Sequence, residues 1–122
     1  MSIHIQQWLR ALVVGVATLL AAGAQAQAPN TAPIRVGSTL ALTGPLSATA
    51  VMQKIAGDIY IEQLNKRGGW LGRPVEWVLK DDQSKPDVTR TLYEQLITSE
   101  KVDLIVGPYA TGSILSAMGV AQ

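Results

Sequence analysis

Residues 34–47 read IRVGSTLALTGPLS: a run rich in β-branched residues, then a Gly-Pro turn, then a serine that can cap a helix. Short runs of this kind are typical of buried or half-buried β-strands. Two more follow, VEWVLKD at residues 75–81 and VDLIVG at residues 102–107. The sequence therefore predicts three short strands, the first of them over residues 34–40.

A helical pattern separates the first two strands. Over residues 48–66, apolar side chains recur three and four residues apart, which predicts one buried stripe made of Val51, Met52, Ile55, Ile59, Tyr60 and Leu64. The pairs Lys54/Asp58 and Glu62/Lys66 have opposite charges at four-residue spacing and should form ion pairs. The two glycines at 68 and 69 are expected to end this helix.

A second helix is predicted over residues 86–99 and a third from about Ser113. The second has Ser84 in place to cap it, Pro86 in its first turn, and an expected buried face of Val88, Leu92, Leu96 and Ile97. Strands and helices thus alternate along the chain. This alternation predicts an α/β fold, a parallel sheet with flanking helices joined by right-handed crossovers.

The first 26 residues have the composition of an export signal. Arg10 precedes the uncharged run ALVVGVATLLAA, and Ala24 and Ala26 provide the small residues that a signal peptidase needs. This run spans only about 18 Å as a helix, against roughly 30 Å for a bilayer core, which argues against a membrane anchor. We therefore predict a cleaved signal peptide over residues 1–26, with cleavage after Ala28 as the alternative, then a flexible leader over 27–33. The expected location is the periplasm.

Charge and residue types exclude several classes of function. Without Arg10, the chain has nine basic and nine acidic residues, so bulk charge attracts neither nucleic acid nor an anionic membrane. There is no cysteine, and the one histidine, His4, lies in the predicted signal peptide. The segment after it therefore cannot contain a Ser-His-Asp or Cys-His triad, nor a zinc site with His or Cys ligands. A carboxylate-based enzyme is not excluded by these absences.

Two loops at the carboxyl ends of the predicted strands offer donors for an anion, and ligands of open α/β sheets bind at that edge. In the first loop, Thr43, Ser47 and the free amides at the helix start could hold an anion, or the loop could be a plain turn with a helix cap. In the third loop, GPYATGS, Thr111 and Ser113 offer hydroxyls beside the backbone amides from Ala110 onward. These donors suit a carboxylate, with Tyr109 as an apolar wall, although a capped helix start is again the alternative.

The second loop follows the acidic pair Asp81-Asp82. Paired carboxylates at a strand end could hold Mg²⁺, or they could belong to a solvated loop that leads into a helix cap, which is the interpretation we favour. Trp70, in RGGWLGRP, either covers one end of the core or forms an aromatic contact surface. No metal site and no cofactor are therefore predicted.

Three pieces in this order and at this spacing resemble a known family. They are IRVGSTLALTGPLS at residues 34–47, LNKRGGWLGRPVEWVLKDDQSKP at residues 64–86 and VDLIVGPYATGS at residues 102–113. Together they are similar to the type I periplasmic solute-binding proteins of the leucine/isoleucine/valine-binding group. The resemblance implies that residues 34–122 are the first part of lobe I of a two-lobed receptor that closes on its ligand, in a truncated or cropped chain. It also implies a parallel sheet in the order second, first, third strand.

The resemblance also implies a function and a set of binding residues. Its members bind small solutes such as amino acids, amides or small aromatic acids and deliver them to the permease subunits of an ABC transporter. In the family, a Ser or Thr after the third strand holds the ligand carboxylate; here this is Thr111, with Tyr109 and Ala110 beside it. The family often has an aromatic residue four positions after the Gly-Pro of the first loop, where this chain has Thr49, and Ser47 lies in the same loop.

The expected function is therefore a binding module of an ABC transporter, without catalysis and without nucleic acid as a partner. The ligand-sensing lobe of a receptor is the alternative, because such receptors share this architecture. A carboxylate-dependent enzyme is a weaker alternative, since the segment after the signal has neither His nor Cys.

Overall fold

A computed structural model describes residues 31–122. The predicted signal peptide, residues 1–26, lies outside this range. Helices and strands alternate along the described chain: β1 (Ile34–Leu40), α1 (Ser47–Lys66), β2 (Val75–Asp81), α2 (Pro86–Thr98), β3 (Leu104–Ile105) and α3 (Thr111–Met118). Across residues 31–122, the helices are all too short or too polar to cross a membrane.

The three strands form one parallel sheet in the order β2-β1-β3, as predicted. β1 and β2 are in register over their full lengths, from the pair Ile34/Val75 to the pair Leu40/Asp81. Parallel strands joined by helices place all their carboxyl ends at one edge of the sheet. The fold class expected from the sequence is therefore confirmed.

The third strand is shorter than the predicted range of residues 102–107. Only Leu104 and Ile105 pair with β1. The backbone nitrogen of Val102 instead donates to the Leu96 carbonyl, 3.1 Å away, at the end of α2. At the other end, the Val106 carbonyl accepts a hydrogen bond from the Tyr93 hydroxyl. Val102 and Val106 are thus bound to α2, while the amides of Asp103 and Val106 donate to the β1 carbonyls of Arg35 and Gly37 on either side of the paired residues.

One face of the sheet packs against α1 in two clusters. The first joins Ile34, Val36 and Val75 to Leu64 of α1, and Trp70 packs on it. The position of Trp70 confirms the prediction that it covers one end of the core. The second cluster contains Leu40, Ala41 and Ala50.

The predicted buried stripe of α1 is wrong except at Leu64. Val51, Met52, Ile55, Ile59 and Tyr60 are all exposed, Met52 to 67 %. The helix instead faces the sheet through Ala50, Gly57, Ile61 and Leu64. The reason is steric: a Cβ on Gly57 would lie 2.3 Å from the Trp77 ring, so the helix can approach this bulky strand residue only with a small residue there. The two ion pairs of α1 form as expected, Lys54–Asp58 and Lys66–Glu62, each at 2.6 Å.

The buried face of α2 also differs from the predicted one. Its buried residues are Thr89, Tyr93 and Leu96, while Val88 and Leu92 are half-buried and Ile97 is exposed. Two of the three buried positions carry hydroxyls, and both hydroxyls have partners. A prediction from hydrophobicity alone could not find them, because their burial depends on groups far along the chain.

Neither predicted helix cap forms. The residue before α1 is Leu46, with Ser47 already the first helical residue and no side chain bonded to the helix start. The residue before α2 is Lys85, and Ser84 does not cap it. The Ser84 hydroxyl instead donates to the Thr43 carbonyl, 2.9 Å, and accepts from the Leu46 amide, 3.2 Å. Ser84 therefore joins the second loop to the first. α3 begins at Thr111, two residues before the predicted Ser113, and ends at Met118.

Candidate functional site

A cavity of about 790 Å³ lies at the carboxyl end of β1, on the side of the sheet that α1 covers. Its floor is formed by Ser38 and Leu40 of β1 together with Trp77 of β2. Residues 106–111, between β3 and α3, form a continuous wall. This is the edge at which ligands of open α/β sheets bind, so the cavity is the candidate site.

The wall contains three of the five predicted site residues. Tyr109, Ala110 and Thr111 follow one another along it. Thr111 is exposed and is the first residue of α3, whose start carries the partial positive charge of the helix dipole. No side chain bonds to the start of α3, and therefore the structure has no cap at Thr111.

Ala110 has an unusual backbone. Its φ of 78° and ψ of 136° lie in a region that residues with a Cβ seldom adopt. Such a conformation costs about 1–3 kcal/mol and persists only where the surrounding structure imposes it. The strain lies directly beside Thr111, in the middle of the cavity wall.

The other two predicted residues lie in the first turn of α1. Ser47 is half-buried and Thr49 is exposed. From the same region, the cavity is lined by Leu46, Gln53 and Gly57. The structure thus brings Tyr109, Ala110 and Thr111 together, and places Ser47 and Thr49 on the neighbouring helix start.

Ser113 does not offer its hydroxyl to the cavity as the sequence suggested. It is buried, and its hydroxyl is hydrogen-bonded to that of Thr89 at 3.0 Å. Sequence reasoning also missed Ser38, Trp77 and Gln53 in the cavity lining. The strict alternation of side chains along a strand would have put Ser38 on the face of Val36, but only the packing of α1 shows which face that is.

The described residues that line the cavity are all uncharged. They combine apolar walls, such as Trp77 and Ile114, with a few hydroxyl and amide groups. An uncharged lining of this kind can bind the apolar part of a small solute, while the hydroxyl of Thr111 and the amides near it are left to satisfy a polar end.

Both carboxylates of the acidic loop accept hydrogen bonds from other parts of the protein. Asp82 is 1 % exposed; its carboxylate accepts from the Thr39 hydroxyl at 2.8 Å and from the Ser84 amide at 3.0 Å. Asp81 accepts from the amide and hydroxyl of Thr43, at 3.1 and 2.7 Å, and from the Gln83 amide at 2.9 Å. The favoured interpretation as a solvated loop feeding a helix cap is therefore wrong for Asp82, which is buried, and for the cap, which does not form, whereas Gln83 and Lys85 are exposed as expected. Over residues 31–122, no three His, Cys, Asp or Glu side chains are grouped so that they could hold a metal ion.

The hydrogen bonds of Asp81 should make the stability of the fold depend on pH. Desolvation acts to raise the pKa of Asp81, but the bonds from Thr43 and Gln83 outweigh it and hold the pKa below its usual range. A carboxyl group whose pKa is lowered on folding stabilises the fold at pH values above its unfolded-state pKa of about 3.9. This stabilisation is lost as the pH falls through the pKa of the folded state. We expect Asp81→Asn to reduce the free energy of unfolding by less than about 1 kcal/mol near neutral pH, because solvent screens this partly exposed carboxylate, and by progressively less below about pH 4.

Urea titrations of both proteins across this range test the expectation. Asp87→Asn, at an exposed carboxylate in the first turn of α2, is the control. If the difference in free energy of unfolding between wild type and Asp81→Asn stayed constant down to about pH 2, the stabilisation would not come from the ionised carboxylate of Asp81.

Comparisons with known proteins agree on one family. The profile of the family described as "Periplasmic binding protein" matches residues 33–122. A chemotactic signal transduction system substrate-binding protein of Halobacterium salinarum, BasB, is 40 % identical over 82 residues, 66 % of this chain and 20 % of that protein. The Leu/Ile/Val-binding protein BraC3 of Rhizobium johnstonii is 31 % identical over 96 residues, 79 % of this chain and 26 % of that protein.

Solved structures agree as well. The substrate-binding protein LivJ of a branched-chain amino acid transporter from Streptococcus pneumoniae, in complex with isoleucine, has a TM-score of 0.70 at 27 % identity over 73 % of this chain. The leucine-binding protein LivK of Thermotoga maritima has a TM-score of 0.65, also at 27 % identity, over 72 % of this chain. The chain spans about a quarter of the length of either protein.

Proposed function

Because the chain belongs to the periplasmic binding protein family, we propose that it serves as an extracytoplasmic substrate-binding protein of an ABC transporter. Its relatives and structural neighbours are substrate-binding proteins rather than enzymes. We place residues 34–122 in the first lobe of a two-lobed receptor and assign residues 1–26 to a cleaved export signal. The permease subunits of the transporter are the proposed protein partners.

The observation that carries the proposal is the wall formed by Tyr109, Ala110 and Thr111 at the carboxyl edge of the sheet. A carboxylate at this wall would accept hydrogen bonds from the Thr111 hydroxyl and from backbone amides at the start of α3. Charge-assisted bonds of this type are about twice as strong as neutral ones. The dipole of α3 adds a favourable field for an anion.

The proposed ligand is a small carboxylate-bearing solute: an amino acid, an amide-containing acid or a small aromatic acid. Trp77, Leu40 and Ile114 give the cavity its apolar character. Thr49 provides a small polar side chain at a position where the family often has an aromatic ring. We therefore do not restrict the proposal to branched-chain amino acids, although the solved neighbour from S. pneumoniae holds isoleucine.

Calorimetric titration of the full gene product tests the proposal. The probes are L-isoleucine, L-leucine, L-valine and L-phenylalanine, with benzoate as an aromatic acid. We expect saturable binding of at least one probe, and a rise in the free energy of unfolding of about 2.7 kcal/mol at a hundredfold excess over Kd. An amino-alcohol, which has no carboxylate, is the matched control and should bind far more weakly. Equal binding of L-isoleucine and L-isoleucinol would contradict the carboxylate assignment, and binding of no probe would contradict the proposal.

A sensory role is the second candidate, because the relative from H. salinarum is a substrate-binding protein of a chemotactic signalling system. Both roles use the same binding site and differ in what the liganded protein contacts. A strain that lacks the gene separates them. Loss of uptake of the labelled ligand supports transport, whereas normal uptake with lost chemotaxis toward that ligand supports sensing.

A further inference from the structure

The segment of residues 106–113, which contains the cavity wall, is bound to α2 at both ends. At its start, the Tyr93 hydroxyl donates to the Val106 carbonyl. At its end, the hydroxyls of Thr89 and Ser113 are hydrogen-bonded at 3.0 Å. Thr89 and Tyr93 are four residues apart on one face of α2, so one helix face holds both ends of the segment.

The three anchoring hydroxyls belong to buried side chains, although Val106 itself is exposed. Tyr93 is 1 % exposed, Thr89 is 0 % exposed and Ser113 is 4 % exposed. Loss of the Thr89 hydroxyl would therefore leave the buried hydroxyl of Ser113 without this partner. Burial also raises the pKa of the Tyr93 hydroxyl, which keeps it protonated and able to donate.

Between the anchors lies the strained residue. Ala110 has a φ of 78°, a conformation that persists only where the surrounding structure imposes it, and the chain is held on either side of it at Val106 and Ser113. If either anchor is released, the segment can relax to a conformation without this strain. Thr111, the next residue, would move with it, since the peptide plane between Ala110 and Thr111 is shared.

We propose that Tyr93 and Thr89 are positioning residues, which hold residues 107–112 in one conformation and so keep Thr111 in place for the ligand carboxylate. The inference rests on the proposed function for its effect on affinity. Neither residue lines the cavity, so neither is placed to contact the ligand directly.

The test uses the full gene product with Tyr93→Phe and Thr89→Val, titrated with L-isoleucine. Each change removes a hydroxyl and keeps the size and shape of the side chain. If the competent conformation falls to a tenth of the population, the apparent affinity falls about tenfold, and we expect a loss of this order for each variant. Thr91→Val is the matched control, since Thr91 lies on the exposed side of α2 and its hydroxyl bonds only within the helix.

Two further readouts separate positioning from a loss of stability. Leu96→Val creates a small core defect on the same helix without touching either anchor, and it should lower the melting temperature while leaving affinity within twofold. In ligand-free protein, two hydrogen-bonded amides flank the segment: that of Val106 donates to the Gly37 carbonyl and that of Ile114 donates to the Ala110 carbonyl. Their hydrogen exchange should accelerate at least tenfold in Tyr93→Phe and stay unchanged in Leu96→Val. Combined with Thr111→Ala, the Tyr93→Phe effect on affinity should shrink, because both changes remove the same contact.

Several results would overturn the inference. If wild type binds L-isoleucine and both hydroxyl variants bind it equally well, Tyr93 and Thr89 do not position the site, although the proposed function stands. If no probe binds even to wild type, the proposed function fails, and the exchange experiment alone decides: unchanged protection of the Val106 and Ile114 amides in Tyr93→Phe rejects the anchoring role, and faster exchange supports it.

Discussion

Replacing Thr111 with alanine should weaken binding of the carboxylate ligand by about ten- to a hundredfold. The change removes one hydrogen bond to a charged group, worth about 1.5–3 kcal/mol, and each 1.4 kcal/mol corresponds to a factor of ten in Kd. Thr111 is exposed at the cavity wall and caps no helix, so its loss should leave the melting temperature nearly unchanged. Calorimetric titration of the full gene product, alongside thermal unfolding, measures both quantities.

Thr111→Ser is the matched control, because it keeps the hydroxyl and removes only a methyl group. It should retain affinity within a few-fold of wild type. The opposite pattern would remove Thr111 from the site: unchanged affinity in Thr111→Ala with stability lowered by about 1 kcal/mol, as for a helix cap. A parallel Thr49→Ala variant shows whether the start of α1 also contributes to binding.

Replacing Gly69 with alanine should lower the free energy of unfolding by about 2–5 kcal/mol. Gly69 has a φ of 72°, and its added Cβ would lie 1.8 Å from the Arg73 carbonyl oxygen. The left-handed conformation costs a residue with a Cβ about 1–2 kcal/mol, and the forced backbone shift adds roughly 1–3 kcal/mol. The Arg73 carbonyl cannot simply move aside, because it accepts the hydrogen bond of the Trp70 amide at 2.9 Å.

Gly72 provides a close control for this prediction. It has the same φ of 72°, but nothing lies within 4 Å of its added Cβ. Gly72→Ala should therefore cost only the conformational part, about 1–2 kcal/mol. Urea titrations of the two variants isolate the steric part as their difference. An equal loss of unfolding free energy in both variants would show that the Arg73 carbonyl can move away from the added Cβ.

The strands could be predicted because they depend on local patterns, whereas their order in the sheet was implied by the family resemblance. The first two strands form over the predicted residues, since both are short runs with β-branched residues bounded by turn residues. The parallel arrangement follows from the alternation with helices. The ends of β3 could not be predicted from the run itself, because α2 binds both Val102 and Val106.

The faces of the helices were decided by tertiary packing. In α1, the hydrophobic pattern pointed to Met52 and Ile55, but the small residues Ala50 and Gly57 let the helix approach Trp77. In α2, Thr89 and Tyr93 are buried because Ser113 and Val106 satisfy their hydroxyls. Hydrophobic periodicity counts apolar side chains, whereas burial depends on shape and on hydrogen-bond partners that lie elsewhere in the chain.

For the candidate site, the sequence alone determined the family resemblance, the sheet edge and the segment that carries Tyr109, Ala110 and Thr111. These depend on the order of strands and loops, which the chain encodes locally. Only the tertiary structure decided that Ala110 is strained, that Ser113 turns inward to Thr89, that Asp81 binds Thr43 of the first loop, and that Asp82 is buried against Thr39 of β1. The physical reason is that each of these features requires a hydrogen bond or close contact between residues distant in sequence, and no local pattern specifies which donor meets which acceptor.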